Sequence, residues 1–208
     1  MKASSTSELF EWDKQHVIHP MAPVGSDSTV VMAEGDGIYI KDTDGKQYLD
    51  GASQLTCTNL GYSQKEITEA VAEQMNKLSY ANSFFGNCNR ANIECSRKLA
   101  QLAPEGLKHF FFTSGGSESI DAAFRIARTY WRNNNKHNKF KIISLYHSYH
   151  GVNFGAVSAT AWRNGIFAAG VQPIVPGFLR IPSYYCYRCA FDATYPDRVY
   201  TTAHNNER

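Results

Sequence analysis

One stretch constrains this chain more than any other. His109-Phe110-Phe111-Phe112-Thr113 is a continuous apolar run, Ser114-Gly115-Gly116-Ser117 turns the chain, and a helical pattern then runs to Arg132. The apolar face of that helix is Ile120, Ala123, Phe124, Ala127, Tyr130 and Trp131, while Asp121, Arg125, Arg128 and Arg132 lie off it. Asn133-Asn134-Asn135 ends the helix, and Lys141-Ile142-Ile143-Ser144-Leu145 follows as a second buried-type strand. Strand, helix and strand at this spacing predict a right-handed βαβ unit, and so an α/β fold on a mainly parallel sheet.

Upstream the period changes. Short strand candidates at 30–33, 37–40 and 47–50 are split by turns. Asp42-Thr43-Asp44-Gly45 is the strongest turn, because glycine supplies the positive φ that closes a reversal. Together these predict a small N-terminal antiparallel meander. A short amphipathic stretch at 9–17 precedes it and is broken by His19-Pro20. Helices are predicted over 64–79 and 92–102, the second stopped by Pro104.

Composition narrows the function classes. Hydrophobic residues are 43% and charged residues 19% of the 208, enough for a core and too little charge for a disordered chain. Lys plus Arg number 21 against 19 Asp plus Glu, a net of +2, which argues against a nucleic-acid footprint or a polybasic membrane anchor. No apolar run approaches a membrane span and the first residues hold no secretory signal, so a soluble, cytoplasmic protein is expected. Cysteines at 57, 88, 95, 186 and 189 are odd in number and irregular in spacing, a poor disulfide framework. Cys186 and Cys189 form a CxxC pair, but no second ligand pair follows, so ordinary thiols are favoured over zinc or redox use.

In an α/β sheet, ligands bind beyond the carboxyl ends of strands, near helix N-termini. Thr113-Ser114-Gly115-Gly116-Ser117-Glu118 falls there: glycines allow close approach of an anion, free N–H groups point outward, and Ser117 Oγ adds a donor. Spacing alone equally allows a plain helix start with Ser114 as N-cap. No P-loop lysine, Rossmann fingerprint or nucleophile elbow is present, which leaves a phosphate belonging to a non-nucleotide cofactor. The second segment there is Tyr146-His147-Ser148-Tyr149-His150-Gly151. His147 and His150 have no carboxylate close by in sequence, so no metal is expected, whereas the aromatic residues could stack on a planar ring.

These residues carry a resemblance. Phe112-Thr113-Ser114-Gly115-Gly116-Ser117-Glu118-Ser119, the long helix and Ser148-Tyr149-His150-Gly151 resemble the class III pyridoxal-phosphate-dependent aminotransferases, of fold type I. Asp42-Thr43-Asp44-Gly45-Lys46-Gln47-Tyr48-Leu49-Asp50-Gly51 is similar to that family's early hairpin, and Asn59-Leu60-Gly61-Tyr62 to its N-x-G-[HY] segment. Pro176-Gly177-Phe178 with Ile181-Pro182, Tyr187 and Arg188 resembles its P-G-F…P-x-x-Y-R loop, so roughly residues 19–197 are covered. The resemblance implies that Gly115, Gly116 and Ser117 hold the phosphate of pyridoxal 5'-phosphate. It implies that Tyr149 stacks on the pyridine ring with His150 and Gly151 beside it. Leu55, Thr56 and Cys57 would line the substrate entrance, as would Phe84 and Phe85 from the same or a neighbouring subunit. Many ω-amino-acid members carry Trp where Thr56 aligns, and many carry Ser where Gly115 stands.

By the same resemblance, residues 1–50 contribute to a small domain, and 51–208 are the first part of an incomplete cofactor-binding large domain. The full-length form would be a homodimer that moves an amino group from an ω-amino acid or small amine to a keto acid such as pyruvate. The family's Schiff-base lysine and its acidic partner lie well downstream of the P-G-F loop. None of the eleven lysines here, the last being Lys141, has that context, nor do Asp192 and Asp197. The polar tail 195–208 loses the family pattern, so the chain is expected to be truncated, with no catalytic residue of its own and no activity alone. Two other readings stand beside this one: a non-catalytic fragment or pseudo-enzyme, and a cofactor-dependent mutase or racemase relative.

Overall fold

The computed structural model describes residues 4–20, 22–27, 30–161 and 170–190. The side chain of Cys186, Asp192, Asp197 and the tail 195–208 lie outside the described residues. The chain divides into two units, Met1–Glu94 and Cys95–Arg208, with helix α4 (Arg90–Leu102) crossing the division.

The first unit opens with α1 (Thr6–His16), whose N-terminus is closed by a capping box. Ser5 Oγ accepts from the Glu8 N–H at 3.3 Å, and Glu8 Oε2 accepts from the Ser5 N–H at 2.8 Å. Strands β1 (Met32–Asp36), β2 (Tyr39–Asp42) and β3 (Gln47–Leu49) form an antiparallel sheet in that order. The meander is therefore as expected, with its first strand starting two residues later than 30. Thr6 Oγ1 donates to Asp44 Oδ1 at 2.8 Å, tying α1 to the β2–β3 turn. Ile40 opposes Tyr48 in the ladder and is the buried residue of this sheet. A single turn, α2 (Ser53–Thr56), a helix, α3 (Lys65–Lys77), and a 3-10 turn at Phe84–Gly86 complete the unit before α4.

The second unit holds α5 (Gly116–Asn133), β4 (Ile142–Leu145), α6 (Phe154–Ala159) and β5 (Phe178–Ile181), then a 3-10 turn at Cys186–Arg188. β4 and β5 are parallel, with Ile142 opposite Phe178 and Leu145 opposite Ile181. The core lies under this pair: Ala156, Val157, Ala159, Ala161 and Phe178 are buried. Phe124 meets Phe178 edge to face at 5.2 Å, which seats α5 on β5. Gly177, at φ +89°, starts the β5 turn, where a Cβ would come within 2.8 Å of the Phe140 ring.

The architecture is α/β with a small antiparallel sheet and a parallel one. The pairing differs from the expected unit. The run 109–113 forms no strand, and Phe111 and Phe112 are 65% and 45% exposed. A parallel strand exists only through hydrogen bonds to lateral neighbours, and no segment among the described residues pairs with this one. The neighbour of β4 is instead β5, which begins inside the P-G-F segment.

Candidate functional site

The N-terminus of α5 is built by side chains that leave its first amides bare. Gly115 is the N-cap, at φ −171° and ψ 172°, and no side chain caps the helix. Ser114 is thus not the cap; its N–H donates to Glu118 Oε2 at 2.9 Å. Thr113 Oγ1 donates to the Gly115 carbonyl at 3.1 Å and fixes the approach. The N–H groups of Gly116, Ser117 and Glu118 have no acceptor within the helix, and the positive end of the helix dipole stands behind them. A Cβ at Gly115 or Gly116 would meet nothing within 4 Å, so both glycines border open space rather than packing.

The second segment leaves β4 and is pinned at both ends. Ser148 Oγ donates to the Leu145 carbonyl at 2.6 Å, and the His147 N–H donates to the Ala161 carbonyl at 3.1 Å. The Ala161 N–H returns to the Ser148 carbonyl at 2.9 Å. At the other end the Val152 N–H donates to Ser117 Oγ at 3.0 Å, which leaves the serine proton free to donate elsewhere. Gly151, buried at φ +127°, lies so close to α5 that a Cβ would sit 2.5 Å from Ser117 Oγ. Gly115, Gly116, Ser117 and Gly151 are therefore brought into one site. Tyr149 and His150 are carried on the pinned loop beside it, Tyr149 exposed and His150 half-buried.

Leu55, Thr56 and Cys57 lie in the first unit, on and just after α2, whose four residues Ser53–Thr56 have φ of 48°, 47°, 57° and 66°. This is a left-handed turn made without glycine, at a cost of about 1–2 kcal/mol per residue. Asp50 braces it: Oδ1 accepts from the Gln54 N–H at 3.3 Å, and Oδ2 accepts from the Tyr62 hydroxyl at 2.7 Å. The Tyr62 hydroxyl, foremost among its hydrogen bonds, holds the Asp50 carboxyl below its ordinary pKa, while burial acts against it. Phe84 and Phe85 sit on the 3-10 turn, 72% and 99% exposed, with ring centroids 6.1 Å apart.

Sequence reasoning missed what lies under the loop. Ser158 and Thr160 are almost fully buried, and Arg180 Nη2 donates to the carbonyls of both, at 3.1 and 3.2 Å. The signal was present as two small hydroxyls alternating with alanines in Ser158-Ala159-Thr160-Ala161. An open cavity of about 900 Å³ lies at the carboxyl ends of β4 and β5, bordered by His147, Tyr184, Tyr185 and Arg188. Among the described residues no three His, Cys, Asp or Glu side chains cluster as a metal site would require, and no helix is long and apolar enough to cross a membrane.

A family model described as Aminotransferase class-III matches residues 21–206. Adenosylmethionine-8-amino-7-oxononanoate aminotransferase of Geobacter sulfurreducens is 32% identical over 187 residues, covering 88% of this chain and 41% of that protein. A transaminase from the marine bacterium Virgibacillus superposes with a TM-score of 0.82 at 41% identity, covering 86% of this chain and 41% of its own. An amine transaminase from an uncultivated Pseudomonas species, in its PLP-bound form, gives 0.80 at 30% identity, over 85% and 40%. The chain thus spans about two-fifths of the length of the relatives it matches.

Proposed function

This chain belongs to the class-III aminotransferases, whose cofactor is pyridoxal phosphate, and on that premise we propose that its second unit supplies the phosphate cradle of a transaminase site. The observation that carries this is the bare first turn of α5, with open space at Gly115 and Gly116 and Gly151 held against Ser117. The residues fit a phosphate: three unspent N–H groups and the Ser117 hydroxyl can donate to its oxygens, and the glycines leave room for it. Pyridoxal phosphate, when bound, supplies an electrophilic carbonyl and an electron-withdrawing ring. The chain's own part is to bind and orient it. Tyr149 offers a flat face to the ring, with His150 and Gly151 beside it. Leu55, Thr56, Cys57, Phe84 and Phe85 line the way in for substrate.

The same reading extends to the whole protein. Its amino donor is an ω-amino acid or small amine, its acceptor a keto acid such as pyruvate, and its working form a cytoplasmic homodimer. Support comes from the small net charge, the absence of a disulfide framework in the sequence, and the exposed Phe84 and Phe85. Residues 1–50 fall to its small domain and 51–208 to its large one.

Titration with pyridoxal phosphate, followed by the amide resonances of Gly116, Ser117 and Val152, tests the cradle. Weak binding with shifts at these three amides is expected. Gly116→Asp should abolish them by placing a carboxylate where the phosphate sits. The substitution leaves the helix intact, because its Cβ meets nothing and an acid in the first turn suits the dipole. Shifts that persist in this variant, or that fall elsewhere in the wild type, reject the assignment.

A further inference from the structure

Thr160 follows α6, is fully buried, and spends its side chain on one task. Its Oγ1 accepts from the His150 N–H at 3.0 Å and donates toward the Gly151 carbonyl at 2.9 Å, with the Ala156 carbonyl at 3.2 Å sharing that proton. One hydroxyl thus holds the backbone on both sides of the 150–151 peptide. Thr160 is itself held from below. Its carbonyl accepts from Arg180 Nη2 of β5 at 3.2 Å, and its N–H is bonded to the Ala156 carbonyl at 3.1 Å. Beyond Gly151 the chain runs at once into the Val152 N–H bond to Ser117 Oγ. A continuous set of hydrogen bonds therefore links β5, Thr160, the loop at 150–152 and the first turn of α5.

We propose that Thr160 is the positioning residue for Tyr149: its hydroxyl clamps the backbone at His150 and Gly151 and so fixes where the loop holds that ring beside the α5 cradle. The inference rests on the proposed role of Tyr149 as the face for the cofactor ring. Burial makes the clamp stringent. A buried hydroxyl must keep its partners, and the His150 N–H and Gly151 carbonyl would lose theirs if it were removed. Valine matches threonine in shape and lacks the hydroxyl, whereas serine keeps the hydroxyl and loses a methyl group. The two substitutions separate hydrogen bonding from packing.

The test uses the full 208-residue chain with Thr160→Val and Thr160→Ser, and two readouts that need no ligand. The first is amide hydrogen exchange at His150. The second is the fluorine resonance of Tyr149 in fluorotyrosine-labelled protein, assigned by Tyr149→Phe. Thr160→Val is expected to speed exchange at His150 by about tenfold and to move the Tyr149 resonance. The Ile142 and Tyr146 amides, bonded to the Gly177 and Ile181 carbonyls, should keep their rates. Thr160→Ser should resemble the wild type in both readouts. The proposal is overturned if His150 and Tyr149 do not respond to valine, if serine disturbs them as much, or if the Ile142 and Tyr146 amides accelerate equally. Adding pyridoxal phosphate to the wild type then tests the cofactor reading separately: a Tyr149 resonance that ignores it removes that reading and leaves the clamp measured by exchange.

Discussion

Asp42 shows how one side chain closes the β2–β3 turn. Its Oδ1 accepts from the Asp44 and Lys46 N–H groups at 3.0 and 2.8 Å, while Oδ2 accepts from the Tyr48 hydroxyl at 2.8 Å. These donors favour the ionised form, the Tyr48 hydroxyl most of all, and hold the carboxyl below its ordinary value against an opposing effect of burial. A pKa lowered by folding stabilises the fold above the unfolded value of about 3.9, and that contribution is lost as pH falls through the lower folded value. Asp42→Asn should therefore flatten the acid limb of stability, measured by urea unfolding from about pH 5 to about pH 2. An acid limb as steep as that of the wild type would show that Asp42 has no part in it. Asp50 repeats the arrangement with Tyr62, and there the brace serves the left-handed turn of Ser53–Thr56.

Between elements, Arg128 is the fastener of the second unit. Its Nε donates to the Phe140 carbonyl at 2.9 Å and its Nη2 to the Pro176 carbonyl at 3.1 Å, while the guanidinium lies 5.3 Å from the Phe178 ring centroid. One planar fork thus joins α5 to the segments that lead into both β4 and β5. Lysine offers one ammonium in place of two in-plane donors and loses the flat guanidinium beside the Phe178 ring, so Arg128→Lys is expected to cost about 1–3 kcal/mol in urea unfolding. An unchanged midpoint would remove Arg128 from the account of how β5 is held. Arg128 also marks the limit of what could be read from the sequence. The helix that carries it, the meander and the glycine turn before α5 were legible, because period and turn chemistry are local. That the helix seats β5 was not, because the pairing of β4 with β5 joins residues 36 apart and Phe178 sits next to a glycine turn that reads as a loop. The run 109–113 failed in the opposite direction. Its composition suits a buried strand, but a strand is a relation between segments. The cradle residues were legible as a motif, whereas Thr160 was hidden, since its role depends on a loop ten residues away folding back over it.

At the scale of the whole chain, apolar faces stand in solvent. On α3 the residues Ile67, Val71 and Met75 recur every fourth position, and with Leu78 just beyond they are 47%, 56%, 57% and 47% exposed. An amphipathic helix normally buries such a stripe against a second layer, and none covers it among the described residues. In the second unit Phe111, Phe112, Ile126 and Tyr130 are likewise exposed. Exposed apolar surface of this kind favours association over the monomer. The purified chain should therefore grow in apparent mass with concentration in light scattering. Val71→Lys with Met75→Lys should weaken that growth without loss of helix, because lysine is at least as good a helix former as valine and its charge stays in water. Circular dichroism unchanged with association unchanged would clear α3 and move the responsibility to the aromatic residues of the second unit. Association abolished by the α3 pair alone would identify that helix as the surface through which copies of this chain associate.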